Sequence, residues 1–493
     1  MAPATKSSGS MPFIVSTSTK KPDPEMRKFI RSHVMMGKNR GKILRPKYNQ
    51  AGGWSNHQSS HNSRSRPGPE EEYDEDSPII LTPVTVPQRV GGDLSFVRFA
   101  DTIEDSRVSV ILEFSSIAKK VLFPLEPYIA FAAREKSGWM EALTIDAAYL
   151  HALAFSTQAY FDLLSGRTLS RGSTSAYPHM LKALRLLRER LDAEQDVAVK
   201  SSFSTAAVVL CLAFHAHITG EHGTARHHML GLRKIVDLRG GLTGLGNTKL
   251  VIELLRCDMG MALNNGTKPI FFSDLVQEPY WPYPDFTQYN ITPNPEDEPF
   301  PTLDTELAIV WCNMKQFCAL VNHTAAAGHK LSEEILLDSM ASVMYRLLHT
   351  CFARGSLSEV VRLGLLAFCS SVFLQWTSVR LPYTYFPAVY RDNLMNLEFL
   401  IADCDYTNTD SFSVPRLLVW LLMVGAVSAF DGPDSETWLK PWLRVNLELC
   451  DIDSWSTMRA VLDSFMWIGL VQDTLTRSIF ESAMSSRLYL GFG

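Results

Sequence analysis

The sequence predicts an all-α protein, a large multi-helical domain preceded by a disordered basic N-terminal region. From about Leu94 onward, apolar residues recur at spacings of three and four, and almost no stretch alternates as a strand does. Before that point polar and charged residues dominate, so residues 1–95 have too few apolar side chains to offset the entropy of ordering the chain. With 493 residues, 46% of them hydrophobic, the chain is long enough to bury a large core.

The N-terminal region differs from the rest of the chain in charge. Residues 1–50 carry eleven Lys or Arg against Asp23 and Glu25, and 36 basic and 50 acidic side chains follow. The first fifty residues therefore carry a net charge of +9 and the remainder −14. An acidic linker at residues 70–76 follows a basic box at residues 20–47. Inside this box, apolar residues recur at helical spacing after Pro24, which favours a short helix that folds on a partner.

The basic box supplies the candidate site residues, because it is the only concentrated positive charge in the sequence. These residues are Lys20, Lys21, Arg27, Lys28, Arg31, Lys38, Arg40, Lys42, Arg45 and Lys47. Three interpretations compete. The box is a nuclear localisation signal that binds a nuclear import receptor, an arm that makes weak contacts to DNA phosphates, or a solvated tail that aids solubility. The acidic body would itself be repelled by nucleic acid.

Gly, Pro and polar residues separate the predicted helices of the body. The helices cover roughly residues 140–164, 178–193, 201–219, 224–239, 248–264, 304–327, 332–353, 357–378, 386–402, 415–430 and 455–468. Ser356 and Glu359 predict a capping box at the start of one of them. Glycines between Gly240 and Gly246 predict a helix end and a turn, because their spacing does not fit a dinucleotide-binding loop.

Two further stretches carry specific expectations. The connection from Glu278 to Thr302 contains seven prolines and six aromatic residues, and it is long for a loop inside a compact domain. We interpret it as a surface wrap whose aromatic rings cover gaps between helical layers, with a lid or partner-docking strap as the alternative. The longest apolar run, Leu417 to Phe430, is shorter than the roughly 20 residues that span a bilayer, so we expect a buried helix and no membrane.

No motif for catalysis, a cofactor or a metal occurs in the sequence. It lacks a Walker loop, a G-x-S-x-G elbow, an H-E-x-x-H pair and a D-D-x-x-D helix, so no catalytic residue and no cofactor is predicted. Five histidines lie between His215 and His228, but Gly220 interrupts them and His227 and His228 point in different directions. We therefore expect no metal site there. The eight cysteines form no C-x-x-C pair and are expected to be reduced core residues.

A distinctive set of residues lies between Thr224 and Asp274. It comprises Ala225, the helix His228-Met229-Leu230-Gly231-Leu232-Arg233-Lys234-Ile235-Val236, the stop Leu238-Arg239-Gly240-Gly241, then Arg256, Asp258 and Lys268-Pro269-Ile270-Phe271. This stretch resembles the fungal-specific transcription factor domain, the helical middle region of binuclear zinc-cluster regulators. Further matches are Leu122-Phe123-Pro124-Leu125 and, near the C-terminus, Pro415, Leu418-Val419-Trp420-Leu421-Leu422 and Gly425-Ala426. The resemblance covers residues 96–490.

The N-terminal basic box also looks like a short box of family members that lack a zinc finger, from Arg27 to Met35 and from Gly37 to Arg40. In the family, six cysteines near the N-terminus hold two zinc ions and read DNA, whereas no cysteine of this chain precedes Cys211. No residue of this sequence therefore corresponds to a zinc ligand of the family. The resemblance implies regulation of transcription in the nucleus without direct sequence-specific DNA binding and without catalysis.

In the interpretation that the resemblance implies, the helical domain binds other transcription proteins or a second copy of itself. Two alternatives remain, a protein-interaction scaffold without DNA contact and an all-α enzyme whose site is built from scattered residues. Arg256 and Asp258 lie two positions apart on one predicted helix and so cannot pair with each other. We expect both to bond to neighbouring helices or loops as structural ties.

Overall fold

A computed structural model describes residues 97–118, 122–131, 138–167, 176–192, 197–274, 276, 278–289, 291, 303–376, 384–401, 414–430 and 435–485. They all belong to one compact unit, Gln88–Gly493. The all-α prediction is confirmed, since the only strands among these residues are the two-residue β1 (Ile129–Ala130) and β2 (Leu331–Ser332). The predicted disordered region, with its basic box and acidic linker, lies outside the described residues.

Sixteen α-helices are described. They are α1 (Asp105–Ala118), α2 (Gly138–Ile145), α3 (Ala147–Leu164), α4 (Tyr177–Asp192), the short α5 (Val197–Lys200), α6 (Phe203–Ile218), α7 (His222–Leu238), α8 (Thr248–Asn265), α9 (Thr305–Ala326), α10 (Glu333–His349), α11 (Leu357–Cys369), α12 (Tyr385–Ile401), α13 (Val414–Ser428), α14 (Lys440–Leu449), α15 (Trp455–Phe465) and α16 (Gly469–Ser485). A π-helical turn continues α11 (Ser370–Leu374) and another precedes α14 (Ser435–Leu439), and single 3-10 turns occur at Glu126–Tyr128, Thr243–Leu245 and Thr287–Tyr289.

Helices α3, α4, α6 and α7 pack together in the first half of the fold. The most extensive pairings are α6 with α7, α3 with α4, and α3 with α6. Side-chain caps fix where these helices begin: Asp146 accepts from the backbone N–H of Tyr149 at 3.0 Å, and Ser202 caps α6. The prediction of one helix over 140–164 was wrong, because the cap at Asp146 ends α2 and starts α3.

Helix α13 is the centre of the second half of the fold. Every residue from Leu417 to Val427 is buried, as predicted for this apolar run, and α13 contacts α11, α14, α15 and α16. On α11, Gly364 allows the two helices to approach closely, because a Cβ added there would lie 2.3 Å from Leu421 Cδ2. One hydrophobic core therefore joins α13 to the helices of the first half.

Several predicted boundaries needed correction. Helices α1, α5, α14 and α16 were not predicted, and the helix predicted over 455–468 ends at Phe465. The capping box was half right: Ser356 accepts from the Glu359 backbone N–H at 3.2 Å, but the Glu359 carboxylate bonds to the backbone N–H of Phe352 and to Arg362. The glycine prediction was confirmed, since Gly240 and Gly241 have φ of 81° and 106° immediately after α7.

Two described helices are apolar and long enough to cross a membrane by length and composition, Val197–Ile218 and Leu357–Leu374. Core helices of soluble proteins have the same properties, and 89% of the second helix is buried inside the protein.

The seven described cysteines are free thiols, but Cys351 is exposed, so its prediction as a core residue was wrong. It lies in the loop between α10 and α11.

Candidate functional site

The ten candidate basic residues from Lys20 to Lys47 all lie outside the described residues. The other predicted positions, Arg256 and Asp258, lie on α8 and are buried, with 5% and 2% of their surface exposed. Three of the segments that carry the resemblance, those with Phe123, Arg233 and Phe271, contact these two side chains or each other. This region of buried polar contacts is the candidate site of the helical body.

Asp258, in the second half of α8, ties this helix to the chain that follows it. Its carboxylate accepts hydrogen bonds from the backbone N–H groups of Ile270 at 2.8 Å and Phe271 at 3.1 Å, and from the Tyr345 hydroxyl of α10 at 3.0 Å. Burial raises the pKa of Asp258 to about 6, although these three donors act in the opposite direction. Burial also raises the pKa of the Tyr345 hydroxyl well above its ordinary value. The carboxylate therefore holds the Lys268–Phe271 motif against α10.

A second carboxylate fixes the same turn from the other side. Phe272 has a positive φ of 56°, and its backbone N–H donates to Glu278 Oε2 at 2.7 Å. Glu278 in turn accepts from Arg233 of α7 at 2.6 Å, and the Arg233 guanidinium lies over the Phe271 ring at 5.1 Å. The motif is thus bonded to α7, α8 and α10 together.

Arg256 belongs to a charge cluster with Glu126, Lys249 and Glu253, in which Arg256 and Glu126 are buried and the other two side chains are partly exposed. Its Nη1 lies 2.9 Å from Glu253 Oε1 and 3.2 Å from Glu126 Oε1, and its Nε donates to the Phe373 carbonyl at 2.8 Å. Lys249 contacts Glu126 as well and lies 2.7 Å from Glu253. Two cations and two carboxylates balance in charge, which is what a buried ionic cluster requires.

Aromatic rings cover the cations of this cluster. The Arg256 guanidinium lies 3.5 Å from the centre of the Phe123 ring, and Lys249 Nζ lies 4.7 Å from that of Phe131. Phe123 belongs to the Leu122–Leu125 motif, so two segments of the resemblance meet here although more than 100 positions separate them. The expectation that Arg256 and Asp258 bond to other elements is confirmed.

The aromatic connection after residue 278 lies along α10. Trp281 Nε1 donates to Asp338 at 2.7 Å, and the Trp281 carbonyl accepts from Arg346 at 2.8 Å. The Arg346 guanidinium also lies over the rings of Tyr280 and Tyr283, at 4.9 and 4.1 Å from their centres. These contacts agree with the surface-wrap interpretation for residues 278–289 and do not test the alternative of a partner-docking strap, and most of the connection beyond Tyr289 lies outside the described residues.

The described histidines between His215 and His228 occupy separate environments. His217 is 5% exposed, and burial lowers its pKa to about 4. His215 packs its ring edge-on against Phe155 at 5.5 Å between ring centres. In the described part of the chain, no group of three or more His, Cys, Asp or Glu side chains could hold a metal ion.

Sequence reasoning did not identify Glu126, Lys249 or Tyr345 as members of this region. Glu126 offered one signal, since a carboxylate between Leu125 and Pro127 in an apolar stretch has to find a partner once it is buried. That partner is 130 positions away, and no local pattern connects the two.

The described residues form an all-α domain in which charged side chains, some of them buried, bond neighbouring helices and loops to one another. No family model, no curated protein and no solved structure matches the chain.

Proposed function

We propose that this protein is a nuclear regulator of transcription that works by binding partners through its helical body, without catalysis. The observation that carries the proposal is the division of charge, +9 in residues 1–50 and −14 in the rest. A basic segment on an acidic body is suited to binding an import receptor or phosphates through that segment alone. The rest of the chain is then free for contacts to other proteins.

The resemblance to the fungal-specific transcription factor domain supports the proposal through the positions of its residues. Arg256 and Asp258 are buried and bonded to structural groups, and the Leu122–Leu125 and Lys268–Phe271 motifs are among the segments that they pack against or bond to. Contacts of this kind stabilise a fold and leave both side chains engaged, which supports a helical body that binds partners without catalysis.

The same contacts argue against a catalytic role for these residues. Asp258 has a raised pKa, as many general bases do, but hydrogen bonds from two backbone N–H groups and a tyrosine occupy its oxygens. The Arg256 guanidinium is covered by Phe123 and bonded to carboxylates. A substrate would have to displace these partners, so we assign both residues to stability.

DNA contact, in this proposal, is confined to the basic box and is weak and independent of sequence. Loss of affinity with salt would follow the number of phosphates that its lysines and arginines neutralise. A second candidate function is a protein-interaction scaffold without any DNA contact. The absence of cysteine from residues 1–210 favours it, because that stretch contains no counterpart of the zinc cluster that reads DNA in the family.

The decisive experiment combines cellular location with genome-wide DNA crosslinking of the full chain. In the test variant, Arg27, Lys28, Arg31, Lys38, Arg40 and Lys42 are changed to Ala. The matched control changes six exposed body residues to Ala, namely Arg185, Arg188, Lys234, Lys330, Arg354 and Arg477. Both variants lose six positive charges, and only the first loses them in the basic box.

Nuclear enrichment at discrete loci that the test variant loses and the control keeps would support a regulator acting through the basic box. Loci retained by a test variant that still enters the nucleus would favour the scaffold, recruited by other proteins. Intact protein that spreads through the cytoplasm without loci would overturn the transcriptional proposal.

A further inference from the structure

Two buried histidines face each other where the chain enters the helical body. His151 of α3 and His179 of α4 are 1% and 8% exposed, and their rings stack with centres 5.0 Å apart. Their Nδ1 atoms lie 2.8 Å from each other, so one ring donates a hydrogen bond to the other. This contact requires one proton between the two nitrogens, and it has no place for a second.

The outer nitrogens of the pair face two carboxylates of residues 97–104, here called the entry segment. His151 Nε2 lies 3.4 Å from Asp101 Oδ2, and His179 Nε2 lies 3.4 Å from Glu104 Oε2. Lys182 of α4 also contacts Asp101, at 2.8 Å. The entry segment is therefore held to α3 and α4 through the histidine pair and Lys182, and the Ala100 backbone N–H donates one further bond to the Leu143 carbonyl of α2 at 3.0 Å.

Counting protons shows which states this geometry accepts. Two neutral imidazoles carry two protons, one between the Nδ1 atoms and one on the Nε2 of the ring that accepts that bond. A third proton fits on the other Nε2, where it points at a carboxylate. A fourth can only go to the second Nδ1, which would place two N–H groups head to head across 2.8 Å.

The charged groups around the two histidines do not stabilise the state in which both rings are protonated. Asp101 and Glu104 face it from the entry segment, whereas Lys182 of α4 and Arg107 of α1 act on it from the other elements. These four groups cancel, so each added proton is a net buried charge. Burial accordingly lowers the pKa of His151 and of His179, although the carboxylates act to raise both.

We propose that His151 and His179 form an acid-operated latch that holds the entry segment against α3 and α4 and releases it when the pair takes up its second extra proton. Once the rings separate, they are exposed and their pKa returns to the ordinary value near 6.5. The open state therefore binds protons more tightly than the closed one, so falling pH favours opening. Each proton bound in this way multiplies the population of the open state about tenfold per pH unit.

Hydrogen exchange of the full chain tests the latch directly. Exchange of residues 97–104 is measured at pH 7.5 and 5.0, corrected for the intrinsic pH dependence and compared with amides in the centre of α8. In the wild-type protein we expect the entry segment to lose at least about tenfold in protection at pH 5.0 while α8 keeps its own. His179→Phe keeps an aromatic ring in the stack but cannot be protonated, so the protection of its entry segment should differ little between pH 7.5 and pH 5.0.

A control and a second readout make the result unambiguous. His228→Gln removes a half-buried histidine outside the pair and should leave the acid response as in the wild type. If His179→Phe does not fold, His179→Gln is used instead, and NMR titration of the ¹⁵N-labelled wild-type histidines follows proton uptake by both rings. Uptake of the last proton should coincide with loss of protection.

The latch is overturned if the wild-type entry segment keeps its protection at pH 5.0, or if His179→Phe opens with acid as the wild type does. It is also overturned if both rings take up their last proton while the segment stays protected.

A chelator, EDTA, tests one further explanation at pH 7.5. Loss of protection on its addition would mean that a metal ion, and not a shared proton, joins the two Nδ1 atoms.

Discussion

The Tyr345 hydroxyl donates a 3.0 Å hydrogen bond to the Asp258 carboxylate, joining α10 to α8 across 87 positions of sequence. The same carboxylate accepts from the turn at Ile270 and Phe271. Asp258→Asn is therefore expected to lower the free energy of unfolding by about 1–3 kcal/mol, because an amide nitrogen replaces one acceptor oxygen and faces donors. Urea unfolding measures the loss. Tyr345→Phe, which removes one donor without adding another, should cost less.

The cost of Asp258→Asn should also depend on pH. Because burial raises the pKa of Asp258 to about 6, the folded protein binds a proton here more tightly than the unfolded chain does. Stability from this group is therefore greatest below the unfolded value near 4 and falls as pH rises to about 6. The deficit of the variant should be larger at pH 4.5 than at pH 7, and a deficit that grows with pH would contradict the raised pKa.

Glu126→Gln should be strongly destabilising. Glu126 is fully buried and contacts both Lys249 and Arg256, so its neutralisation leaves two cations with Glu253 as their one remaining carboxylate in the cluster. Breaking a fully buried ion pair costs about 3–5 kcal/mol, and we expect the lower end of this range because Lys249 is partly exposed. The control is Glu481→Gln, which breaks an exposed pair with Arg477 on α16 and should change stability by less than about 0.5 kcal/mol. Equal effects of the two substitutions would show that the cluster contributes nothing through its burial.

Gly364→Ala tests the close approach of α11 and α13. The added methyl group would meet Leu421 Cδ2 at 2.3 Å inside a packed core, so we expect a loss of about 1–3 kcal/mol. Gly231→Ala on α7 is the matched control, because its added Cβ meets nothing within 4 Å. There the helix propensity of alanine should stabilise the protein by about 0.5–1 kcal/mol. Thermal unfolding should move the two midpoints in opposite directions.

Arg346→Lys should loosen the aromatic connection without unfolding the body. Lysine loses the planar stacking on Tyr280 and Tyr283 and the geometry that bonds Arg346 to the Trp281 carbonyl. We expect faster hydrogen exchange in residues 278–289, with α8 and α13 unchanged. The exposed pair of Arg354 with Asp392 provides the control Arg354→Lys, which should leave this connection as protected as before. Unchanged exchange in Arg346→Lys would contradict an anchoring role.

Sequence periodicity predicted the helices well where an apolar stripe stands between clear breaks, as in α7, α8 and α10. It failed where one residue is compatible with two different local structures. Pro441 looks like a break, but it occupies the first turn of α14, where a missing N–H costs nothing. Asp146 looked like an interior residue, and the hydrogen bond from Tyr149 shows it to be a cap.

The polar region was predictable only in part. Spacing on α8 excluded a bond between Arg256 and Asp258, so outside partners were expected, and the hydrogen bonds confirm them. The identities of those partners depend on how distant segments pack. Glu126 and Phe373 reach Arg256 from 130 and 117 positions away, and a single sequence has no local pattern that brings them together.

The short parallel pairing of β1 with β2 affects how the chain is made. Ile129 pairs with Leu331 and Ala130 with Ser332, so the first of these residues leaves the ribosome some two hundred residues before its partner. Until β2 has been synthesised, part of the apolar surface of the early helices stays exposed. The nascent chain would therefore need chaperones, and translation that stops between β1 and β2 should yield fragments that aggregate or are degraded.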